Sequence, residues 1–328
     1  MASCSSDDSN PVASSGLFAD SQLEVLIREH IGKMTRTLTN ADLDTITILT
    51  EYGGFDSSPT AIAGLEGIYR LPHLKTLDIY GNRIESLTGL SGLSSLSSLY
   101  ASRNRITTIE GLTNLPLLEI LDLSCNNLTS LSGVEELPAL MSLTVDYDRL
   151  TDISQITACP QLNSLSVSRN QISSLSGVSG PSTLTTFYIE DNPITTLAGI
   201  GGLPALFMLN ISECPVVDLG GIESLTALNE LDAHSCRLSE IAPVAALANL
   251  RTLDVSYNSV VNLAPLRLLP NIAHLTLSEN LIRDLQPLVD NDYFGSSCHV
   301  SVSENPLSQN AIENQIPALR ARGVDVWN

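Results

Sequence analysis

Residues 74–95 read LKTLDIYGNRIESLTGLSGLSS, and residues 96–117 read LSSLYASRNRITTIEGLTNLPL. Both stretches follow one pattern, L-x-x-L-x-apolar-x-x-N, whose asparagine is Asn82 in the first and Asn104, 22 residues later, in the second. The frame continues without insertion or deletion through Asn126, Asp148, Asn170, Asn192, Cys214, Cys236, Asn258 and Asn280. Self-similarity at a fixed period of about 20–50 residues indicates a solenoid, in which each copy is one structural unit.

Each unit is predicted to begin with a short strand. Because side chains alternate along a strand, Leu77 and Ile79 point into the core, whereas Thr76, Asp78 and Tyr80 point outward. The second half of each unit carries apolar residues three apart, which favours 3₁₀ or irregular turns over an α-helix. We therefore predict an α/β solenoid with one parallel β-sheet on its concave face and 3₁₀ or irregular turns on its convex face.

The asparagine position lies where the chain leaves the strand. There an amide side chain can bond backbone groups that would otherwise be buried without partners. Asp148 can replace part of this bonding, and Cys214 and Cys236 can replace it weakly. The two cysteines hold the same place in adjacent units, so the sequence permits either a disulfide or two reduced thiols there.

The repeats are flanked by different sequences at both ends. Residues 1–17 are polar and Ser-rich and are predicted to form a disordered lead, and residues 18–60 are predicted to form an N-terminal cap of one helix and the first strand. One partial and ten complete units occupy residues 61–289, and residues 290–328 are predicted to hold a modified last repeat and a C-terminal cap.

Both caps carry local signals. In the N-terminal cap, Ser21 and Glu24 have the spacing of a capping box at the start of a helix. In the C-terminal cap, Ile312, Ile316 and Leu319 are expected to fold over the last edge of the sheet.

The composition limits the class of partner. Acidic residues outnumber basic ones by 36 to 16, for a formal charge of −20, which argues against nucleic acid or an anionic membrane as the partner. No stretch approaches the ~18 apolar residues of a membrane span, and the first residues lack the apolar core of a signal peptide. We therefore predict a cytoplasmic protein. The alternative is a surface or secreted protein, because Cys4 and the residues after it resemble the start of a mature bacterial lipoprotein.

Three features carry a family resemblance. The 22-residue unit resembles the SDS22-like class of leucine-rich repeats, which includes a regulatory subunit of protein phosphatase 1 and the bacterial internalins. FADSQLEVLIREHIGK (18–33) with LTNADLDTITIL (38–49) resembles the N-terminal cap of bacterial-type leucine-rich-repeat proteins, and NPLSQNAIENQIPALRARGVDV (305–326) resembles their closing motif. The resemblance implies a leucine-rich-repeat horseshoe that acts as a binding scaffold. It leaves open a phosphatase regulatory subunit and an internalin-like adhesin.

The outward side chains of the strands define the candidate site. Arginines gather at the rim of the first units and carboxylates in the later ones, so the surface is predicted to be bipolar. Tyr, Phe and Met side chains within a polar face are typical anchors of protein interfaces. We number the complete units from the one that holds Asn82, so that unit four holds Asp148 and unit eight holds Cys236. We predict that a partner protein binds the concave face of units four to eight. The predicted partner-binding residues are Tyr147, Arg169, Tyr188, Glu190, Phe207, Met208, Glu213, Glu230, Asp232, His234, Asp254 and Tyr257.

One set of residues has the composition of a catalytic triad. His234 shares an outward column with Ser212 and Ser256, and Asp232 points to the same face. A hydrolase is therefore the alternative to a scaffold. Serine fills that column in most units, however, and a flat sheet offers no water-excluding pocket. We predict a non-enzymatic protein that uses no cofactor and no metal.

Overall fold

The computed structural model of the 328-residue chain describes residues 16–51, 60–178 and 180–328. Most of the predicted lead, including Cys4, and part of the predicted N-terminal cap segment lie outside these residues. Among the described residues, no helix is long and apolar enough to cross a membrane.

The described chain forms one sheet of 13 parallel strands, in which each strand pairs with the next one along the sequence. The middle residues of neighbouring strands pair with each other, as Leu77 does with Leu99, and form one buried column. The sequence prediction of a single parallel sheet with ten or more strands is confirmed. The strands are β1 Ile48–Thr50, β2 Thr76–Asp78, β3 Ser98–Tyr100, β4 Ile120–Asp122, β5 Ser142–Thr144, β6 Ser164–Ser166, β7 Thr186–Tyr188, β8 Met208–Asn210, β9 Glu230–Asp232, β10 Thr252–Asp254, β11 His274–Thr276, β12 His299–Ser301 and β13 Asp325–Trp327.

The opposite side of the repeats is built from single turns of 3₁₀-helix, as the spacing of three predicts. These turns are Ile68–Arg70, Thr88–Leu90, Val134–Glu136, Ser154–Ala158, Ile200–Gly202, Ile222–Ser224, Ala242–Ala246 and Ala264–Leu266. Their apolar residues fill one continuous core with those of the strands. Burial therefore comes from stacking of units, because no unit can cover its own apolar face.

Asparagine side chains join neighbouring units behind the strand ends. Asn126 Oδ1 accepts from the Ile106 N–H at 2.9 Å, and its Nδ2 donates to the Ala101 carbonyl at 3.0 Å and the Leu123 carbonyl at 2.7 Å. Ile106 and Ala101 belong to the preceding unit, so each asparagine amide forms hydrogen bonds between two neighbouring units. The same pattern recurs at Asn104, Asn170, Asn192, Asn258, Asn280 and Asn305.

The two cysteines in this stack are free thiols. Cys214 Sγ donates to the Ile189 carbonyl and Cys236 Sγ to the Ile211 carbonyl, each at 3.3 Å, so each thiol makes one of the bonds that an asparagine amide makes. Burial raises the pKa of Cys214 to about 11 and that of Cys236 to about 12, which keeps both protonated and able to donate. Of the two states that the sequence permits, the structure has the reduced one.

The N-terminal helix, α1 (Ser21–His30), begins differently from the prediction. Its N-cap is Asp20, whose Oδ1 accepts from the Gln22 and Leu23 N–H groups at 2.8 and 3.1 Å. Helix α1 begins at Ser21, which is therefore not its N-cap, and Glu24 is buried and accepts from Arg28 Nε at 2.9 Å. The predicted capping box at Ser21 is therefore wrong, because the residue before it offers a carboxylate and Glu24 has a buried cation to neutralise. A short helix, α2 (Asn40–Leu43), leads into β1.

The C-terminal end adds two strands and two short helices, α3 (Gln286–Val289) and α4 (Ile316–Ala321). Ile316 and Leu319 are buried, as expected for residues that cover the last edge. Ile312 is 51% exposed, so its predicted place in the core is wrong. It lies in a π-helical turn, Ala311–Gln315, which points Ala311 and Gln315 inward instead.

Candidate binding site on the concave sheet

The outward side chains of the strands lie in columns that run along the solenoid. In β7, β8 and β9 the first and third residues are half-buried and the middle residue is buried. The register places Met208 beside Glu230 and Asn210 beside Asp232. Because neighbouring strands are only about 4.8 Å apart, side chains from several units can contact one ligand.

Outward residues of β7 to β11 surround a shallow cavity of about 350 Å³, here called the recess. Five of the predicted partner-binding residues line it: Tyr188, Met208, Glu230, Asp232 and Asp254. The Tyr188 hydroxyl donates to Met208 Sδ at 2.9 Å, so these two side chains from neighbouring strands form one surface. The recess is also lined by Leu209, Asn210, Leu231, Thr252 and Thr276.

Two contributors to this region are absent from the sequence prediction. Asn210 donates to Glu190 Oε2 at 2.6 Å and thereby fixes that carboxylate beside the recess. Asp146 stands in the same outward column as Glu190, two units earlier, and accepts from the Ser166 hydroxyl at 2.6 Å and the Ser168 N–H at 2.7 Å. Both could have been found from the repeat frame, because each occupies an outward position of its unit.

The carboxylates of this face act on one another. Burial raises the pKa of Glu190 above its ordinary value, and the negative charges of Asp146 and Asp232 raise it further. Burial likewise raises the pKa of Asp146, with Asp122 adding to the effect. Arg169 acts on the Glu190 pKa in the opposite direction, so the carboxylates of this face repel one another across strands with one nearby arginine that opposes the effect at Glu190.

The residue before each asparagine has a left-handed backbone conformation throughout the repeats. Its φ lies between 52° and 59° in the non-glycine cases, which include Tyr147, Arg169, Glu213 and Tyr257. In this conformation the N–H donates to the carbonyl of the next unit, as the Tyr147 N–H does to Ser168 at 2.9 Å. The backbone therefore turns these side chains out at the rim beyond the strand ends. The four predicted site residues of this column are not among the residues that line the recess.

Phe207 lies at the edge of the sheet where the strands begin, whereas the rim residues follow the ends of the strands. It precedes β8, is 46% exposed, and donates its N–H to the Thr185 carbonyl at 2.8 Å. The structure thus separates Phe207 from the recess, although it is the chain neighbour of Met208.

His234 is bonded to Asp232 and not to either serine of its column. Its Nδ1 lies 2.8 Å from Asp232 Oδ1. The Ser256 hydroxyl donates to Asp254 at 2.6 Å, and the Ser212 hydroxyl donates to Asn210 at 2.7 Å. Both serines of the triad-like set therefore donate to side chains other than His234. Ligand atoms of Asp232, His234 and Asp254 lie within 4.8 Å of one another, a spacing that a divalent cation could bridge.

Comparisons with known proteins agree with this architecture. Residues 94–138 match the family of leucine-rich repeats in two copies. The fold is similar to that of an internalin, InlF, from Listeria monocytogenes, with a TM-score of 0.74 and 25% identity over 96% of both chains. A second internalin from the same organism has a TM-score of 0.58 and 26% identity over 73% of this chain and 95% of its own. A leucine-rich-repeat protein of Leptospira interrogans shares the fold at 20% identity, with a TM-score of 0.58 over 79% of this chain and 80% of its own. No curated protein sequence matches.

Proposed function

Because the chain is a leucine-rich-repeat protein, we propose that it is a non-enzymatic scaffold that binds a partner protein on the concave sheet. The observation that carries the proposal is the recess, where Tyr188 and Met208 contact each other next to Glu230, Asp232 and Asp254. Aromatic and Met side chains gain binding free energy when a partner removes them from water, and charges beside them set orientation and association rate.

The rim residues have a secondary role in this proposal. Tyr147 and Tyr257 are more than half exposed, and Arg169 stacks over the Tyr147 ring at 4.8 Å. These side chains lie beyond the strand ends and outside the recess, so we expect only a partner that extends past the recess to contact them. We assign them to the edge of the interface, where single contacts contribute little.

The test begins with cross-linking and affinity purification from the organism that encodes the protein, followed by affinity measurement with the purified partner. Tyr188→Ala should weaken binding by roughly 2 kcal/mol or more, because it removes a central anchor. Leu117→Ala and Leu268→Ala are matched controls, since both side chains are exposed and lie outside the recess. They should leave the affinity unchanged. A partner that is lost with the control variants and retained with Tyr188→Ala binds elsewhere, and the proposal is then wrong.

The proposed scaffold has two possible cellular locations, the cytoplasm and the cell surface. We propose a cytoplasmic scaffold, which is supported by free Cys214 and Cys236 in adjacent units, since thiols persist in reducing compartments. An internalin-like adhesin is the second candidate, and it is supported by the similarity to InlF over 96% of both chains. Antibody labelling of intact and of lysed cells distinguishes them: only an adhesin is labelled on intact cells.

A further inference from the structure

We infer that the concave face binds a basic segment of the partner, whose lysine or arginine side chains meet a carboxylate stripe formed by Asp146, Glu190, Asp232 and Asp254. This inference rests on the proposed function and specifies the chemistry of the partner. The four carboxylates come from units four, six, eight and nine, so the stripe runs across the strands through the recess.

The first observation concerns the charge balance of the stripe. Among the described residues, no lysine or arginine forms an ion pair with any of the four carboxylates. Arg169 is near Glu190 but lies closer to a rim acid, with Nε 3.7 Å from Asp191. Among the described residues, the basic side chain within ion-pair distance of the stripe is His234, whose Nδ1 lies 2.8 Å from Asp232 Oδ1. A partner cation would therefore relieve repulsion that the free protein retains.

The second observation is a buried hydroxyl without a bond. Ser168 stands between Asp146 and Glu190 in the same outward column, and it is 4% exposed. Its Oγ has no hydrogen-bond partner, whereas the equivalent hydroxyls of Ser124, Ser212 and Ser256 each donate to a side chain of their own strand. A buried polar atom without a partner costs free energy, and the lone pairs of the Ser168 Oγ can accept from a ligand that supplies an N–H donor. The ammonium or guanidinium group that the carboxylates attract is such a donor.

The dimensions of the stripe set the length of the segment. Asp146 follows β5 and Asp254 ends β10, which is five strand intervals. At about 4.8 Å per interval the stripe is ~24 Å long, which an extended peptide of about seven residues spans at ~3.4 Å per residue. Tyr188 and Met208 lie within this span, where they can pack against the aliphatic parts of long basic side chains.

The test uses a fluorescent peptide of about eight residues with lysine at alternate positions, and a matched peptide with glutamine in place of lysine. The protein variant is Glu190→Gln/Asp232→Asn/Asp254→Asn, which keeps an acceptor oxygen at each site and removes three charges. The control variant is Glu85→Gln/Glu110→Gln/Glu240→Gln, which removes the same charge from exposed positions outside the stripe. Thermal melts establish that both variants are folded.

The lysine peptide should bind the natural protein in an anisotropy titration, with affinity that falls as salt rises. The stripe variant should bind about tenfold more weakly, which three partly exposed ion pairs are together worth, and the control variant should change the affinity by less than about twofold. If both variants lost the same affinity for the lysine peptide, only the net charge of the protein would matter. If the glutamine peptide bound the natural protein as tightly as the lysine peptide, binding would not depend on the charge of the peptide. Tight binding of Mn²⁺ that blocks the peptide would assign the stripe to a metal ion. Each of these outcomes overturns the inference.

Failure here is separate from failure of the proposed function. If a partner is found whose binding depends on Tyr188 while the lysine peptide does not bind, the charge assignment is wrong and the scaffold function stands. If the peptide binds as expected but no partner depends on Tyr188, the stripe is a cation site and the scaffold function is wrong.

Discussion

At the scale of single residues, Asp148 shows the effect of a carboxylate at the asparagine position of the repeat. Its Oδ1 accepts from the Leu128 N–H at 2.7 Å, as an asparagine oxygen does in the other units. Its Oδ2 occupies the place of the amide nitrogen, is buried, and has no hydrogen-bond partner. In the unit before, Asn126 uses that nitrogen to donate to two carbonyls, which a carboxylate cannot do. Burial raises the pKa of Asp148 to about 7 from an ordinary value of 3.8, because the protonated acid is better suited to the site.

The variant Asp148→Asn should therefore stabilise the protein in a pH-dependent way. The folded state holds the Asp148 proton more tightly than the unfolded state, so the natural protein loses stability as pH rises from 3.8 towards about 7. The variant has no such loss, and the difference in free energy of unfolding should grow over this window to at most about 4 kcal/mol. Denaturant unfolding of both proteins at several pH values measures it. A difference that is constant with pH would contradict this account of Asp148.

At the scale of elements, Asp20 links the first helix to the first repeat. Besides capping α1, its Oδ2 accepts from the Ala63 and Gly64 N–H groups at 2.7 and 3.0 Å. One carboxylate thus satisfies four backbone donors on two elements that are 43 residues apart in the sequence. No local signal distinguishes this position from an ordinary helix cap, because half of its bonds form only when α1 is packed on the repeats.

We expect Asp20→Ala to destabilise the protein by about 2 kcal/mol or more, since a lost cap costs ~1 kcal/mol and two further donors lose their acceptor. Ser21→Ala is the matched control one residue away, and it should change stability by less than about 0.5 kcal/mol. Chemical denaturation of the two variants compares them directly. If Ser21→Ala is the more damaging change, the capping box predicted from the sequence is correct after all.

At the scale of the whole molecule, the large negative charge opposes folding and favours binding of the proposed basic segment. The chain has a formal charge of −20, and several carboxylates on the concave face repel one another across strands. Screening weakens that repulsion, because the Debye length falls from about 30 Å at 0.01 M salt to about 10 Å at 0.1 M. The same screening weakens attraction to a basic partner segment.

The thermal midpoint of the free protein should therefore rise with NaCl over the range in which binding of the lysine peptide weakens. Calorimetry and anisotropy titrations in the same buffers test the two signs together. A midpoint that falls with salt would indicate that favourable ion pairs, such as that of Glu24 with Arg28, outweigh the repulsion.

The amino-acid sequence by itself determined the repeat, the direction of side chains in each strand, the buried column and the stack of asparagines. These follow from bonds within a unit or between identical positions of adjacent units, so one period of 22 residues repeats them. Only the tertiary structure decided which exposed residues lie together around the recess. It placed Tyr188 against Met208, turned Tyr147 and Tyr257 out at the rim through a left-handed backbone, and left Phe207 exposed outside the recess. The physical reason is that exposed positions have no packing partner to dictate their direction, and hydrogen bonds between stacked units set it instead.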